Sequence, residues 1–149
     1  MSGVEYDKQD EDMPSLNHSY ICLQILRQLI QNEKFAPLPE LTLDIGNGLT
    51  PDISVFPKEK IRPNFLRDVI KFREMPILAV EVLSVSQTVQ ELLNKASVLV
   101  SSGIKAVWTV EPYGQTIFIT TGEGEKFQHD PNVESEGIRV NFKEVFGTS

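Results

Sequence analysis

The chain has 149 residues with a formal net charge of −7, and 40% of its residues are hydrophobic. These values are typical of one globular domain that is long enough to bury a hydrophobic core. The acidic charge argues against tight non-specific binding of nucleic acid, which depends on neutralising phosphates. No apolar run approaches the roughly 18 residues that indicate a transmembrane helix, so we expect none. Cys22 is the single cysteine, which predicts a reducing, cytoplasmic environment.

The charge is distributed unevenly along the chain. Residues 1–12 hold five acids and one lysine. We predict a disordered acidic N-terminus over residues 1–13 and a single domain over residues 14–149. Residues 58–76 instead hold six basic side chains and three acids. This basic segment either contacts a nucleic-acid backbone or is an ordinary solvated loop; its basic residues are Lys58, Lys60, Arg62, Arg67, Lys71 and Arg73.

The first half of the chain predicts one helix followed by two strands. A helix begins after Ser15, its predicted N-cap, and runs to about Gln31. Its helical spacing predicts a buried stripe formed by Leu16, Tyr20, Leu23, Leu26, Arg27 and Ile30, with Cys22 as a small core residue. Alternating apolar residues predict a strand over residues 41–45, a turn at 46–48, and a second strand that Asp52 opens. A short helix is expected over residues 65–72.

The second half predicts a strand–helix–strand unit and a β tail. Residues 77–83 are apolar except at Glu81, which is typical of a central strand covered on both faces. A helical stripe from Val89 to Val100 stops at Gly103, and strands follow over residues 104–110, 115–121 and 138–142. A last helical turn closes the chain. The order αβββαβ plus a β tail predicts an α/β (α+β mixed) fold with a mixed central sheet flanked by helices.

Two carboxylates are the first candidates for chemistry. Glu81 lies in an apolar strand, where a charge is costly unless it is paired or binds a cation. Asp52 opens a neighbouring strand of the same predicted sheet. Two carboxylates on adjacent strands form a hard-oxygen site that suits Mg²⁺ or Mn²⁺. The alternative is that Glu81 lies at the strand end and pairs with solvent or a basic loop residue.

Lys95 is the third candidate, because it flanks the buried face of the second helix. Its long stem allows the ammonium group to extend toward the end of the strand that carries Glu81. The alternative is a surface ion pair with Glu91, four residues earlier. His18 lies near the start of the first helix, where a lone histidine is more often structural. With one cysteine and two histidines far apart in sequence, we do not expect a zinc site.

The ordered set of motifs resembles one family. The set consists of Pro51-Asp52, Glu81-Val82-Leu83-Ser84, a helix with Lys95, Gly103-Ile104, and a strand that ends at Glu111-Pro112. It resembles the Uma-two group of restriction endonucleases, a branch of the PD-(D/E)XK nuclease superfamily. The resemblance covers residues 18–112 and implies a restriction-endonuclease-like core. In this group the signature lysine is displaced into the following helix, which matches Lys95, and a histidine near the start of the first helix matches His18.

The resemblance implies a metal-dependent endonuclease acting on nucleic acid, with DNA as the expected substrate. Asp52, Glu81 and the carbonyl of Val82 would hold Mg²⁺ or Mn²⁺, and Lys95 would act on the attacking water or the phosphate. A homodimer is expected, because cutting both strands of a duplex takes two sites. The alternative is a catalytically inactive nuclease fold that serves as an interaction or assembly module. The acidic net charge favours that alternative, as does the absence of an acid between Ser86 and Gln90.

Overall fold

A central sheet with helices on both faces forms the body of the protein. The computed structural model describes residues 13–147. The elements are α1 (Leu16–Ile30), β1 (Phe35–Pro39), β2 (Ile53–Pro57), a 3₁₀ turn (Lys58–Lys60), β3 (Leu78–Val82), α2 (Val89–Ser101), β4 (Ala106–Glu111), β5 (Thr116–Thr121), β6 (Gly124–Gln128), β7 (Asn132–Ser135), β8 (Ile138–Asn141) and α3 (Phe142–Phe146). The predicted order αβββαβ is confirmed. Most of the predicted acidic tail lies outside the described residues, and the assignment of residues 14–149 to one domain stays a prediction.

The sheet is mixed, as predicted. Its strand order is β1-β2-β3-β4-β5-β6, and β7 and β8 form a separate two-stranded sheet. Strands β3 and β4 are parallel because α2 crosses over between them, and the other neighbouring strands of the large sheet are antiparallel. Of the predicted β tail, the strand over residues 115–121 is β5, which extends the central sheet, and the strand over residues 138–142 is β8 of the small sheet. Strands β6 and β7 were not predicted.

The two faces of the sheet bury separate hydrophobic layers. Leu78, Val80 and Val82 of β3 point to the face covered by α1, α3 and the small sheet, whereas Ala79 points to the face covered by α2. This alternation follows from the two-residue period of a strand. Glu81 therefore shares the face of Ala79 and lies on the α2 side, which decides what the carboxylate can contact.

The prediction for the buried face of α1 was wrong. The helix buries Ile21, Ile25 and Leu29, while Leu16, Tyr20, Leu23 and Ile30 are exposed. Leu26 of the predicted stripe and Cys22, the predicted core residue, pack against the core and are partly buried. The helix has apolar residues on more than one side, so periodicity alone did not determine which side packs on the sheet. One constraint on its rotation is the Gln28 amide, which exchanges hydrogen bonds of 2.9 and 2.8 Å with the backbone of Asn141. The predicted Ser15 cap is confirmed, since its hydroxyl accepts from the His18 N–H.

Two further predictions in the first half were wrong. Residues 41–45 form only two isolated bridges, both at Leu43, and the first strand is instead β1, which contains Pro37 and Pro39. No helix forms over residues 65–72. There the side chain of Asn64 accepts the Leu66 N–H, and such local bonds compete with helix formation. Within residues 13–147, no helix is both long and apolar enough to cross a membrane.

Candidate active site

Asp52 lies immediately before β2, at the point where β2 stops pairing with β3. The antiparallel register pairs Ile53 with Val80 and Ser54 with Ala79, so its continuation places Asp52 opposite Glu81. The Asp52 carboxylate takes over the role of a strand partner, because its Oδ2 accepts the Val82 N–H at 2.7 Å. Its other oxygen, Oδ1, lies 3.0 Å from Nε2 of His18 on α1. One side chain thus connects β2, β3 and α1.

Glu81 is the buried charge of the site, with 2% of its surface exposed. Its Oε2 lies 2.7 Å from the ammonium of Lys95 on α2. Burial raises the pKa of Glu81 to about 7, the Lys95 charge opposes that rise, and the Asp52 charge adds to it. A buried carboxylate in contact with a lysine and opposed by a second carboxylate is the kind of perturbed group that is concentrated at functional sites.

The N-terminal cap of α2 removes Glu91 as the partner of Lys95. The Thr88 hydroxyl accepts the Glu91 N–H, and the Glu91 carboxylate accepts the Thr88 N–H, which completes a capping box. The Lys95 ammonium also donates to the carbonyl of Thr50 at 3.3 Å. The lysine therefore points into the site, and the surface pair with Glu91 that the sequence left open is not formed.

His18 and Cys22 approach the site from α1. They are four residues apart, so they lie on one side of the helix. The hydrogen bond with Asp52 raises the pKa of His18 above 6.5, although its partial burial opposes the rise. Burial raises the pKa of the Cys22 thiol to about 12, which keeps it protonated at neutral pH. His18, Cys22 and Asp52 each offer one ligand atom within 4.8 Å of the others, a mixed nitrogen, sulfur and oxygen set.

The site contains two contributors that were not assigned to it from the sequence. Cys22 was expected to be a small core residue, and Thr50 was not considered. The spacing of His18 and Cys22 on one helix was a detectable pattern, but their proximity to Asp52 depends on how α1 packs on the sheet. Thr50 contributes a backbone carbonyl, which no residue type encodes.

The six predicted nucleic-acid contacts all lie on the exposed surface of the segment between β2 and β3. Among the described residues, Lys60 is the one member of this set with a carboxylate within 4.0 Å, namely Glu74 at 3.6 Å. The segment is anchored at its end, where the Phe72 N–H donates to the carbonyl of Thr42 at 2.9 Å. The structure therefore places these side chains on an exposed basic loop.

Comparison with known proteins gave a matching family model and similar solved structures. A family model described as "Uma2: Putative restriction endonuclease" matches residues 10–146. A solved structure from Anabaena variabilis ATCC 29413, described as a putative nuclease belonging to DUF820, is similar with a TM-score of 0.74 at 22% identity, over 91% of this chain and 83% of that chain. No curated protein matches. The structural likeness supports the fold, and because the family model spans nearly all of the sequence, the chain belongs to the Uma-two family.

Proposed function

We propose that the protein is a Mg²⁺- or Mn²⁺-dependent endonuclease that hydrolyses phosphodiester bonds of DNA. The observation that carries the proposal is the buried Glu81 carboxylate, placed opposite Asp52 and in contact with the Lys95 ammonium. This is the acid, acid and lysine set of the PD-(D/E)XK nucleases that the sequence resembles. Membership of a family described as restriction endonucleases supports nuclease function.

The donor set fits a hard dication. Asp52 and Glu81 supply carboxylate oxygens, and their mutual repulsion contributes to the raised pKa of Glu81, which a dication would relieve. Val82 directs its N–H toward Asp52, and the N–H and C=O of one strand residue point to the same side. Its carbonyl is therefore on the side of the carboxylates and can be a third ligand. The oxygen-rich set favours Mg²⁺ or Mn²⁺ over a metal held by His18 and Cys22.

The side chains of the site have different proposed roles in hydrolysis. A metal held by Asp52 and Glu81 would supply Lewis acidity to the phosphate and would lower the pKa of an attacking water. Lys95 orients that water through its ammonium group or stabilises negative charge that develops on the phosphate in the transition state. His18 holds the Asp52 carboxylate through Oδ1, and the Val82 N–H holds Oδ2. Both contacts fix the carboxylate before substrate arrives, which lowers the cost of reorganisation.

A second candidate function is a nuclease fold that no longer cleaves. The favouring observation is that three carboxylate oxygens of the site already have partners in the protein: Asp52 Oδ1 with His18, Asp52 Oδ2 with Val82, and Glu81 Oε2 with Lys95. In such a site, contacts within the protein would take the place of a metal. An interaction module of this kind would not bind Mn²⁺ at Asp52. It would also not require Lys95.

A cleavage assay with an isosteric variant separates the two functions. Supercoiled and linear DNA are incubated with the protein and Mn²⁺, beside the Asp52→Asn variant. Asparagine keeps an acceptor for the Val82 N–H but removes the charge, so the fold is retained. We expect cleavage by the native protein and a loss of order 10²–10³-fold in the variant, as for a removed charge-stabilising group. Equal cleavage by both proteins would place the activity elsewhere.

Metal binding is measured separately by thermal shift. Mn²⁺ should raise the melting temperature of the native protein, because a ligand that binds only the folded state stabilises it. The increase should persist in Cys22→Ala and disappear in Asp52→Asn. Loss in both variants would assign the metal to His18, Cys22 and Asp52. An unchanged increase in Asp52→Asn would place the cation outside this site. No increase, together with no cleavage, would favour the inactive module.

A further inference from the structure

The loop between β2 and β3 exposes large apolar side chains next to its cations. Phe65 and Leu66 are 96% and 94% exposed, and Val69 and Ile70 are exposed as well. Exposed apolar groups in one short segment are costly in water and usually mark a binding surface. Arg62, Arg67 and Lys71 alternate with them along the chain. We call residues 61–73 the basic–apolar loop.

A cavity of about 350 Å³ lies between the basic–apolar loop and the residues around β1. The Phe72 ring on its wall is fixed, since it packs edge-on against the buried Phe56 at a centroid distance of 5.4 Å. Polar groups are few: Arg62, Asn64, Arg67 and Asp68. The Arg62 Nε donates to the carbonyl of Glu59 at 3.2 Å, which restrains the guanidinium. The apolar lining of the cavity includes Leu38, Leu41, Ile61, Phe65, Val69 and Phe72.

This chemistry matches a nucleobase attached to a phosphate backbone. A base offers a flat apolar face to aromatic and aliphatic walls and a polar edge to a few donors and acceptors. The backbone on either side of the base needs cations, and six of the 14 basic residues of this acidic chain lie in residues 58–76. A paired duplex hides the faces of its bases, so an occupant of the cavity must come from an unpaired nucleotide.

The loop is connected to the candidate active site through a short series of contacts. The Phe72 N–H donates to the Thr42 carbonyl at 2.9 Å, and the Thr42 and Thr50 hydroxyls are 2.8 Å apart. The Thr50 carbonyl in turn accepts from Lys95, which contacts Glu81. The end of the loop that carries Phe72 is therefore linked by hydrogen bonds to the site that the proposed function requires.

We propose that the basic–apolar loop captures an unpaired nucleobase, with Phe65 stacked on it, so that the protein acts on single-stranded or locally unpaired nucleic acid. This inference rests on the proposed nuclease function and names its substrate class. The 2′-hydroxyl decides between DNA and RNA, and the loop chemistry is shared by both.

The test measures binding without cleavage. Fluorescence anisotropy is recorded in EDTA with the full chain and labelled oligo(dT), oligo(U) and a duplex of equal length. We expect tighter binding to one or both single strands than to the duplex. Phe65→Ala should weaken single-strand binding roughly 5- to 100-fold and remove the preference, as expected when one base–aromatic stack is lost. Phe65→Tyr should retain it. Ile30→Ala, which truncates an exposed apolar residue on α1, is the matched control.

A charge variant separates stacking from attraction to phosphate. Arg67→Gln should weaken binding to single strand and duplex alike and lower the salt slope by about one unit, whereas Lys126→Gln on β6 should change neither. Single-strand affinity that is equal in Phe65→Ala and the native protein would overturn the inference. So would self-association or protein binding that Phe65→Ala abolishes while oligonucleotide binding is unchanged.

The cleavage assay keeps the two proposals distinguishable. Cleavage that depends on Asp52 but has the same KM in Phe65→Ala would overturn the loop inference and leave the nuclease proposal intact. Single-strand binding that depends on Phe65, without any cleavage in Mn²⁺, would support the loop as a nucleic-acid site and overturn the nuclease proposal.

Discussion

Lys95 is positioned to influence both the stability and the chemistry of the site. Its ammonium contacts the buried Glu81 and is restrained by the Thr50 carbonyl. We expect Lys95→Ala to lower the cleavage rate by a factor of order 10²–10³, because a positive group that faces the reacting phosphate is lost. The variant should also melt at a lower temperature without metal, since removing one partner of a buried pair leaves the other uncompensated.

The measurements are single-turnover cleavage, Mn²⁺ thermal shift and metal-free melting. Lys126→Ala, an exposed lysine on β6, is the control for removing a charge at the surface. Retained Mn²⁺ binding with lost cleavage would assign Lys95 to the chemical step. Full cleavage in Lys95→Ala would show that the ion pair with Glu81 has a structural role alone.

The sequence identified residues that the fold brings together, although it could not give their contacts. Asp52, Glu81, Lys95 and His18 were each singled out, and they now form a connected set. The Glu91 alternative could not be dismissed from the sequence. The same residues allow Glu91 either to pair with Lys95 on the helix or to form the capping box with Thr88. The mixed His18, Cys22 and Asp52 cluster was missed, since it joins residues 30 positions apart through helix packing.

At the scale of elements, α1 gives a direct test of which face is buried. Ile25 is 0% exposed and Leu23 is 51% exposed on the same helix. Ile25→Ala should lower the free energy of unfolding by about 2–5 kcal/mol, because it opens a cavity against the sheet. Leu23→Ala should change it by no more than about 0.5 kcal/mol. Urea denaturation of both variants measures the difference, and equal losses would contradict the packing of α1.

The fully buried strand β3 was predicted well, whereas strands that depend on their neighbours were not. β3 combines five buried residues in sequence, which is a strong local pattern. β1 contains two prolines, which lowers strand propensity everywhere except at a sheet edge. β6 is mostly exposed and gains its strand pairing from β5. The pattern at residues 41–45 reflects side chains that pack with residues of α2, including Leu43 and the partly buried Leu41 and Ile45, while its backbone pairs only through isolated bridges at Leu43.

At the scale of the whole molecule, the site makes stability depend on pH. Between about 4.5 and about 7, the folded protein keeps a proton on Glu81 that the unfolded chain has released. The free energy of unfolding of the metal-free protein should therefore fall as the pH rises through this window. His18 acts in the same direction, because its raised pKa gives stability that is present below 6.5 and lost as the pH rises through its folded value.

Melting temperatures in EDTA across this pH range measure the effect. Glu81→Gln should flatten the dependence of the melting temperature on pH below pH 6.5. The contribution of His18 to this dependence should remain above pH 6.5. If the melting temperatures of the variant and the native protein change with pH at the same rate, the pKa of Glu81 is not raised. That result would contradict the electrostatic description of Glu81 as a perturbed buried acid.

The prolines of β1 have a consequence for how copies of the chain can meet. The Glu40 N–H donates to the Asp52 carbonyl, so the backbone of alternate residues, Pro39 and Pro37, faces away from β2. These positions lack N–H groups, and the outer border of the sheet cannot offer a continuous ladder to another strand. The protein is thereby protected against ribbon-like aggregation on that side. On that side, a second copy would have to pack through helices or loops.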